Sequence, residues 1–229
     1  VMKAFQIFKY DKTNLHVQQV EIPRPKLQPH ELLIEVKASG VNPLDNMITR
    51  GDVRMITPYS FPLTLGNECS GLVVEVGSAV QDFIVGDKVF SRLPTDQIGA
   101  FADYVAVPAE AVAKMPEGLT FIEAASIPLT ALTASQALEL MGAKAGETIF
   151  ISGGSGGLGA MAIPLAKSRG LTVYTNGNSA ARDRVVALGA DRYLDYKTED
   201  YLEHLPQVDY VLDSLGGAEL SRQMKLLKS

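Results

Sequence analysis

The residues best suited to chemistry are Gly154, Gly156 and Gly159, spaced G-x-G-x-x-G in the run Gly153-Gly154-Ser155-Gly156-Gly157-Leu158-Gly159. That spacing serves phosphate binding. Glycines permit a tight turn, let the backbone approach a pyrophosphate, and allow a helix to pack close to a strand. A helix beginning there adds free N–H groups and a positive dipole end. The letters alone are a weak signal, because a flexible Gly/Ser loop carries them too. Their flanks strengthen it. Residues 147–152 form a β-branched and aromatic run that reads as a buried strand, and residues 160–167 are apolar at helical spacing. The motif therefore opens a strand–turn–helix unit.

The next expected strand, 171–175, runs into Asn176-Gly177-Asn178-Ser179-Ala180-Ala181-Arg182. NAD-binding folds place an acid about 20 residues beyond the glycines to hold the ribose hydroxyls. No acid stands in this turn, and Asp183 comes after it, inside the following helix. A small polar turn with Arg182 nearby leaves room and charge for a 2′-phosphate, which favours NADPH over NADH. The plainer reading of Arg182 is a solvated helix residue. Other reactive types carry less. Cys69 stands in a Gly/Ser context and reads as a small core residue, and His16, His30 and His204 are scattered and read as surface residues.

Positioning these residues falls to two halves with different rhythms. Before residue 120, alternation and breakers predict strands at 2–8, 15–22, 31–39, 71–76, 88–91 and 102–107. Such short strands suggest a small irregular barrel or sandwich. From Phe121 onward helices and strands alternate: two helices meeting at Pro128 within 121–140, strand 148–152, helix 158–169, strand 171–175, helix 179–188, strand 192–194, helix 198–204, strand 208–213 and helix 218–227. This order predicts a parallel, doubly wound α/β sheet. Domains are expected at 1–120 and 121–229. Four parallel strands, where a full dinucleotide fold has about six, predict a Rossmann part incomplete at its C-terminus.

The totals set limits. A chain of 229 residues with 46% hydrophobic content can hold two modest domains, each with a core. No apolar run reaches the ~20 residues of a membrane span, and the start shows no signal-peptide pattern. A net charge of −5 with interspersed signs argues against nucleic acid as a partner. A single cysteine suits a reducing compartment, so the cytoplasm is the expected address.

Several segments then point to a family: residues 38–45 (Ala-Ser-Gly-Val-Asn-Pro-Leu-Asp), 66–71 (Gly-Asn-Glu-Cys-Ser-Gly), 85–89 (Val-Gly-Asp-Lys-Val), 125–134, the glycine run, 188–191 (Leu-Gly-Ala-Asp) and 209–216. In this order the chain resembles the medium-chain dehydrogenase/reductase superfamily and, within it, the zinc-free quinone oxidoreductase branch. The resemblance implies a GroES-like catalytic domain with a Rossmann domain and an active site in the cleft between them. It implies Asn42 and Asp45 near the nicotinamide, Thr130 with Thr133 beside the cofactor, and Gly154, Ser155, Gly156, Gly157, Leu158 and Gly159 at its phosphates. Ser179, Arg182 and Tyr196 match the positions that contact the 2′-phosphate in similar reductases. It also implies a homodimer joined by an edge strand beyond residue 229.

Alcohol-dehydrogenase relatives hold a catalytic zinc through a cysteine in the 38–45 segment and a histidine in the 66–71 segment. Here those positions carry Asn42 and Asn67, and residues 91–100 contain no cysteine for a structural zinc. Amides are not usual zinc ligands, so no metal is expected. Without a Lewis acid, reduction of an electron-poor quinone or enone is the feasible chemistry. Asn42 or a cofactor hydroxyl would hydrogen-bond the developing oxyanion, with Asp45 positioning groups and a proton following from water. Asn-Pro and Asp-Asn pairs are also ordinary turn chemistry, and Met47 stands where relatives often carry a tyrosine. The Tyr193-to-Lys197 match to Y-x-x-x-K, used for proton transfer in short-chain dehydrogenases, lies only about 35 residues past the glycines and reads as coincidence. An enoyl-thioester reductase on the same scaffold and a non-catalytic NADPH-binding protein stand as alternatives.

Overall fold

The computed structural model describes residues 1–229, which form two compact units, Val1–Leu129 and Thr130–Ser229. The first unit contains β1 (Met2–Ile7), β2 (Gln18–Ile22), β3 (Glu31–Ser39), α1 (Pro43–Arg50), β4 (Leu63–Thr64), β5 (Glu68–Val76), β6 (Lys88–Arg92), β7 (Tyr104–Pro108), β8 (Val112–Lys114) and α2 (Phe121–Ala125). They build a three-stranded sheet, β2-β1-β4, and a five-stranded sheet, β7-β3-β5-β6-β8, with every pairing antiparallel. Alternating residues Leu32 and Ile34 of β3, Val73 of β5 and Val105 and Val107 of β7 fill the main core. A smaller cluster of Ile7, Ile48 and Leu65 anchors α1. Burying each such side chain contributes about 1.5–3 kcal/mol.

Helix α1 occupies a segment for which the sequence reading assigned no element, and the reason it forms is local. Pro43 occupies the first helical turn, where a fixed φ and a missing N–H suit the helix. Asp45, three residues after the N-cap Asn42, accepts the Asn42 N–H at 2.7 Å and complements the helix dipole. Gly51, at φ 78°, ends the helix in the left-handed region. Strands β4 and β8, of two and three residues, are too short for alternation to reveal. The unit continues past residue 120 because Ala124 and Ala125 are buried where α2 packs on β3 and β5.

Pro128 parts α2 from α3 (Pro128–Met141), as expected. The second unit continues with β9 (Thr148–Ile151), α4 (Gly157–Ser168), β10 (Thr172–Gly177), α5 (Arg182–Ala187), β11 (Arg192–Asp195), α6 (Tyr201–His204), β12 (Tyr210–Leu212) and α7 (Gly217–Met224). The four strands are parallel in the order β11-β10-β9-β12. That is the 3-2-1-4 portion of the doubly wound order. Both faces are covered, as parallel sheets require. Ile149, Ile151 and Val173 pack with Ala134, Leu138, Ala162 and Ile163, while Phe150 packs with Leu194, Tyr201, Val208 and Leu226. Two helices are shorter than expected. Residues 179–181 form a 3-10 turn before α5, and turns closed by Asp195 and Asp200 delay α6 until Tyr201. No helix is long and apolar enough to cross a membrane.

Candidate functional site

In the second unit, parallel pairing of Thr175 with Ile151 sets Asn176 level with the start of the glycine turn. Asn176 holds that turn twice: its Oδ1 accepts from Gly153 N and its carbonyl from Gly154 N, both at 2.9 Å. Gly153, at φ 67°, needs the left-handed region. A Cβ on Gly159 would lie 2.5 Å from Gly153 O and 2.6 Å from Gly154 Cα, so glycine alone lets α4 pack this close to the turn. The N–H groups of Gly157, Leu158 and Gly159 precede the first helical bond, from Ala160 N to Gly156 O at 2.9 Å. Such N–H groups suit an anion. Thr130 stands beside them, its Cγ2 3.5 Å from where a Cβ on Gly157 would be.

The loop opens onto a cavity of about 670 Å³ whose near wall comprises Gly153, Ser155, Asn176, Gly177, Tyr196 and Lys197. That volume is typical of small-molecule sites. Of the residues singled out from sequence, Ser155 and Tyr196 line this wall, while the glycines and Leu158 build the turn behind it. Ser179 is exposed and does not line the wall. Arg182 is turned to β11: it donates to Tyr193 O at 3.2 Å and to Glu199 Oε2 at 3.3 Å, and stacks over the Tyr193 ring. Asn176, Gly177 and Lys197 escaped sequence reasoning; the one local signal was a polar Asn-Gly pair directly after an apolar strand. Of the Y-x-x-x-K match, Lys197 lines the cavity and Tyr193 does not. Tyr193 is buried, donates its hydroxyl to Asn178 O at 2.5 Å, and is pushed above the usual phenol range by burial.

The first unit ties its polar residues to one another. Asn42 Nδ2 donates to Glu68 Oε1 at 2.7 Å, and Leu129 N donates to Glu68 Oε2 at 2.7 Å. Asp45 receives the Asn42 N–H on Oδ2 and the Asn67 amide on Oδ1 at 2.8 Å. Asp45, Asn67 and Glu68 are 4%, 0% and 2% exposed. Gly40 makes the space, since a Cβ there would lie 2.1 Å from Glu68 Oε1. Arg92, opposite Glu68 in the sheet, donates to the carbonyls of Leu93 and Asn67, and burial lowers its pKa. Asn67 Oδ1 is buried without a partner. Asn42 is half-buried and keeps a second amide N–H, whereas Asp45 is enclosed with both oxygens engaged and can act only by positioning. Burial, with the Glu68 charge beside it, pushes the Cys69 thiol up to about 12, so it is not a nucleophile at neutral pH. The three histidines are exposed, and no three or more His, Cys, Asp or Glu side chains come together in a group that could hold a metal.

Comparison with known proteins agrees with both units. Residues 28–117 match the alcohol dehydrogenase GroES-like domain. The mouse protein named NAD(P)H oxidoreductase RTN4IP1, mitochondrial, is 35% identical over 250 residues, covering 100% of this chain and 63% of its own length. The quinone oxidoreductase structure from Coxiella burnetii is 33% identical with a TM-score of 0.88, covering 99% of this chain and 73% of that one. The Escherichia coli quinone oxidoreductase, solved with NADPH, is 27% identical with a TM-score of 0.86, covering 99% and 70%. The chain spans 60–64% of the length of the curated relatives it matches. A GroES-like first unit followed by a parallel sheet with a glycine turn, at these identities and coverages, places the chain in the medium-chain dehydrogenase/reductase superfamily, in its quinone oxidoreductase-like branch.

Proposed function

We propose that the protein is an NADPH-dependent reductase of small electron-poor acceptors, quinones or α,β-unsaturated carbonyls. The observation that carries this reading is the glycine turn: Asn176 fixes it, Gly159 alone permits its closeness to α4, and it opens on a cavity large enough for part of a dinucleotide. The names of relatives support the same class, among them a chloroplastic NADPH-dependent alkenal/one oxidoreductase of Arabidopsis thaliana, 31% identical over 236 residues.

When bound, NADPH would supply hydride to the electron-poor carbon of the acceptor. The N–H groups of Gly157, Leu158 and Gly159, with Ser155, would hold its phosphates, and the acid-free turn after β10 would leave its 2′-phosphate uncontested. Asn42, oriented by Glu68, would use its second amide N–H to hydrogen-bond the acceptor oxygen as negative charge grows there. Asp45 would keep Asn42 at the start of α1. The amides at 42 and 67 are a poor zinc donor set, so turnover is expected to survive a strong chelator. The single buried Cys69 fits a reducing compartment, and the cytoplasm is the proposed address.

The test follows loss of NADPH absorbance with a quinone, an enone, an enoyl thioester and no acceptor. Turnover with the first two supports the reading, and turnover confined to the enoyl thioester replaces it. Silence with all three leaves a binding protein. Asn42→Ala is expected to lower turnover by about 10²-fold while NADPH still binds, if its amide meets the oxyanion. Full turnover in that variant, checked under the same conditions, removes Asn42 from the chemistry.

A further inference from the structure

We propose that Asp213 and Gln223 are positioning residues for the dinucleotide, bracing the glycine turn from the β12 side of β9, opposite Asn176, and tying cofactor affinity to α7. The inference rests on the NADPH reading above and names residues behind the turn rather than on it. Pairing of Leu212 with Ile151 runs β12 alongside β9, and side chains prolong that pairing past the strand ends. Ser214 N donates to Ser152 Oγ at 3.1 Å, and Ser214 Oγ donates to Ser152 O at 3.3 Å. Residue 214 is thereby seated against the first glycine of the turn, its Oγ 3.5 Å from where a Cβ on Gly153 would be. Ser152 is buried, and its hydroxyl donates to Asp213 Oδ1 at 3.4 Å.

Asp213 gathers the segment that follows. Its Oδ1 also accepts from Leu215 N at 2.9 Å and Gln223 Nε2 at 3.2 Å, and its Oδ2 accepts from Gly216 N at 2.9 Å. Leu215 and Glu219, on either side of the start of α7, line the same cavity as Gly153 and Ser155. The bonds to Leu215 and Gly216 are those of an ordinary aspartate turn. The bonds to Ser152 and Gln223 are not local, and together they run from α7 to the residue before Gly153. Gln223 is wholly buried, and its Oε1 has no partner. Reversing the amide would set Oε1 against a carboxylate oxygen, so the charge of Asp213 selects the donor orientation. An orphaned buried acceptor costs about 1–3 kcal/mol. A leucine would fill similar space without that cost, so what the amide contributes here is its hold on Asp213.

The test is fluorescence titration of the full chain with NADPH and NADH, alongside thermal melts, for wild type, Asp213→Asn, Gln223→Leu and Asp209→Asn. Asp209 is the control, because it accepts Thr148 N at 2.8 Å at the other end of the same two strands. Asp213→Asn is expected to weaken both dinucleotides about tenfold, the worth of one charge-assisted contact, with their ratio unchanged. Gln223→Leu should weaken both about threefold while melting close to wild type. Asp209→Asn should lower the melting temperature and leave both affinities within about twofold of wild type. Wild-type affinity in Asp213→Asn overturns the inference, as does an equal loss of affinity in Asp209→Asn. A Gln223→Leu variant that melts lower yet binds as wild type does also overturns it, since the amide then serves α7 alone. Wild type that binds neither dinucleotide sinks the glycine-turn reading itself.

Discussion

The polar cluster of the first unit and the glycine turn of the second are both built from short-range geometry around glycines, yet they end in opposite states. Around Gly40, the carboxylate oxygens of Asp45 and Glu68 each accept an N–H, and the groups are sealed from solvent. Around Gly153, the backbone is fixed from behind by Asn176 while the leading N–H groups of α4 have no helical partner. A buried network whose carboxylates are fully paired, with Asn67 Oδ1 its one buried atom lacking a partner, gives rigidity and makes each member expensive to alter. A rigid turn with unsatisfied donors gives a binding surface. Variants in the two places should therefore separate stability from cofactor affinity.

The largest effect is expected from Gly159→Ala. Its Cβ would press on Gly153 O and Gly154 Cα, which are backbone and cannot rotate away. An overpacking cost of about 1–3 kcal/mol, focused on the turn, should weaken NADPH binding roughly ten- to 100-fold. Titration of the variant checks this. Glu68→Gln is expected to do the reverse. One of its two acceptors becomes a donor facing Asn42 Nδ2 or Leu129 N, costing about 2–3 kcal/mol by denaturant melting, with the NADPH dissociation constant unchanged. A Glu68→Gln variant as stable as wild type would dissolve the contrast between the two regions.

The smallest effect tests the second unit away from its site. Burial opposes ionisation of Asp191, but the Lys167 ammonium at 2.8 Å and the Val173 N–H at 2.7 Å outweigh it and hold the carboxyl below the usual aspartate range. A lowered folded pKa stabilises above the ordinary value and is lost as pH falls through the lowered one. Thermal melts between about pH 5 and pH 3 should show a stability decline that is shallower in Asp191→Asn. The pair is partly exposed, so the difference should stay under about 1 kcal/mol.

What was legible in the sequence was what is local. The glycine spacing, the apolar strand before it and the acid-free turn after the next strand each occupy a few consecutive residues. The four parallel strands followed from the alternation of helices and strands, whereas their spatial order, β11-β10-β9-β12, did not. Asn176 was invisible because its role depends on the register between β9 and β10. The cluster of the first unit joins Asn42 to Glu68, Asp45 to Asn67 and Glu68 to Leu129, pairs remote in sequence that no spacing rule connects. Helix α1 was not assigned, because Asn-Pro followed by Asp begins a helix as readily as it makes a turn.

The central claim is that the turn at residues 153–159 holds NADPH. Its most direct measurement is equilibrium titration of the full chain with NADPH and NADH, alongside Gly159→Ala. Saturable binding that is tighter for NADPH and lost in the variant is the expected result. Absence of saturable binding, or binding that Gly159→Ala leaves untouched, contradicts the claim.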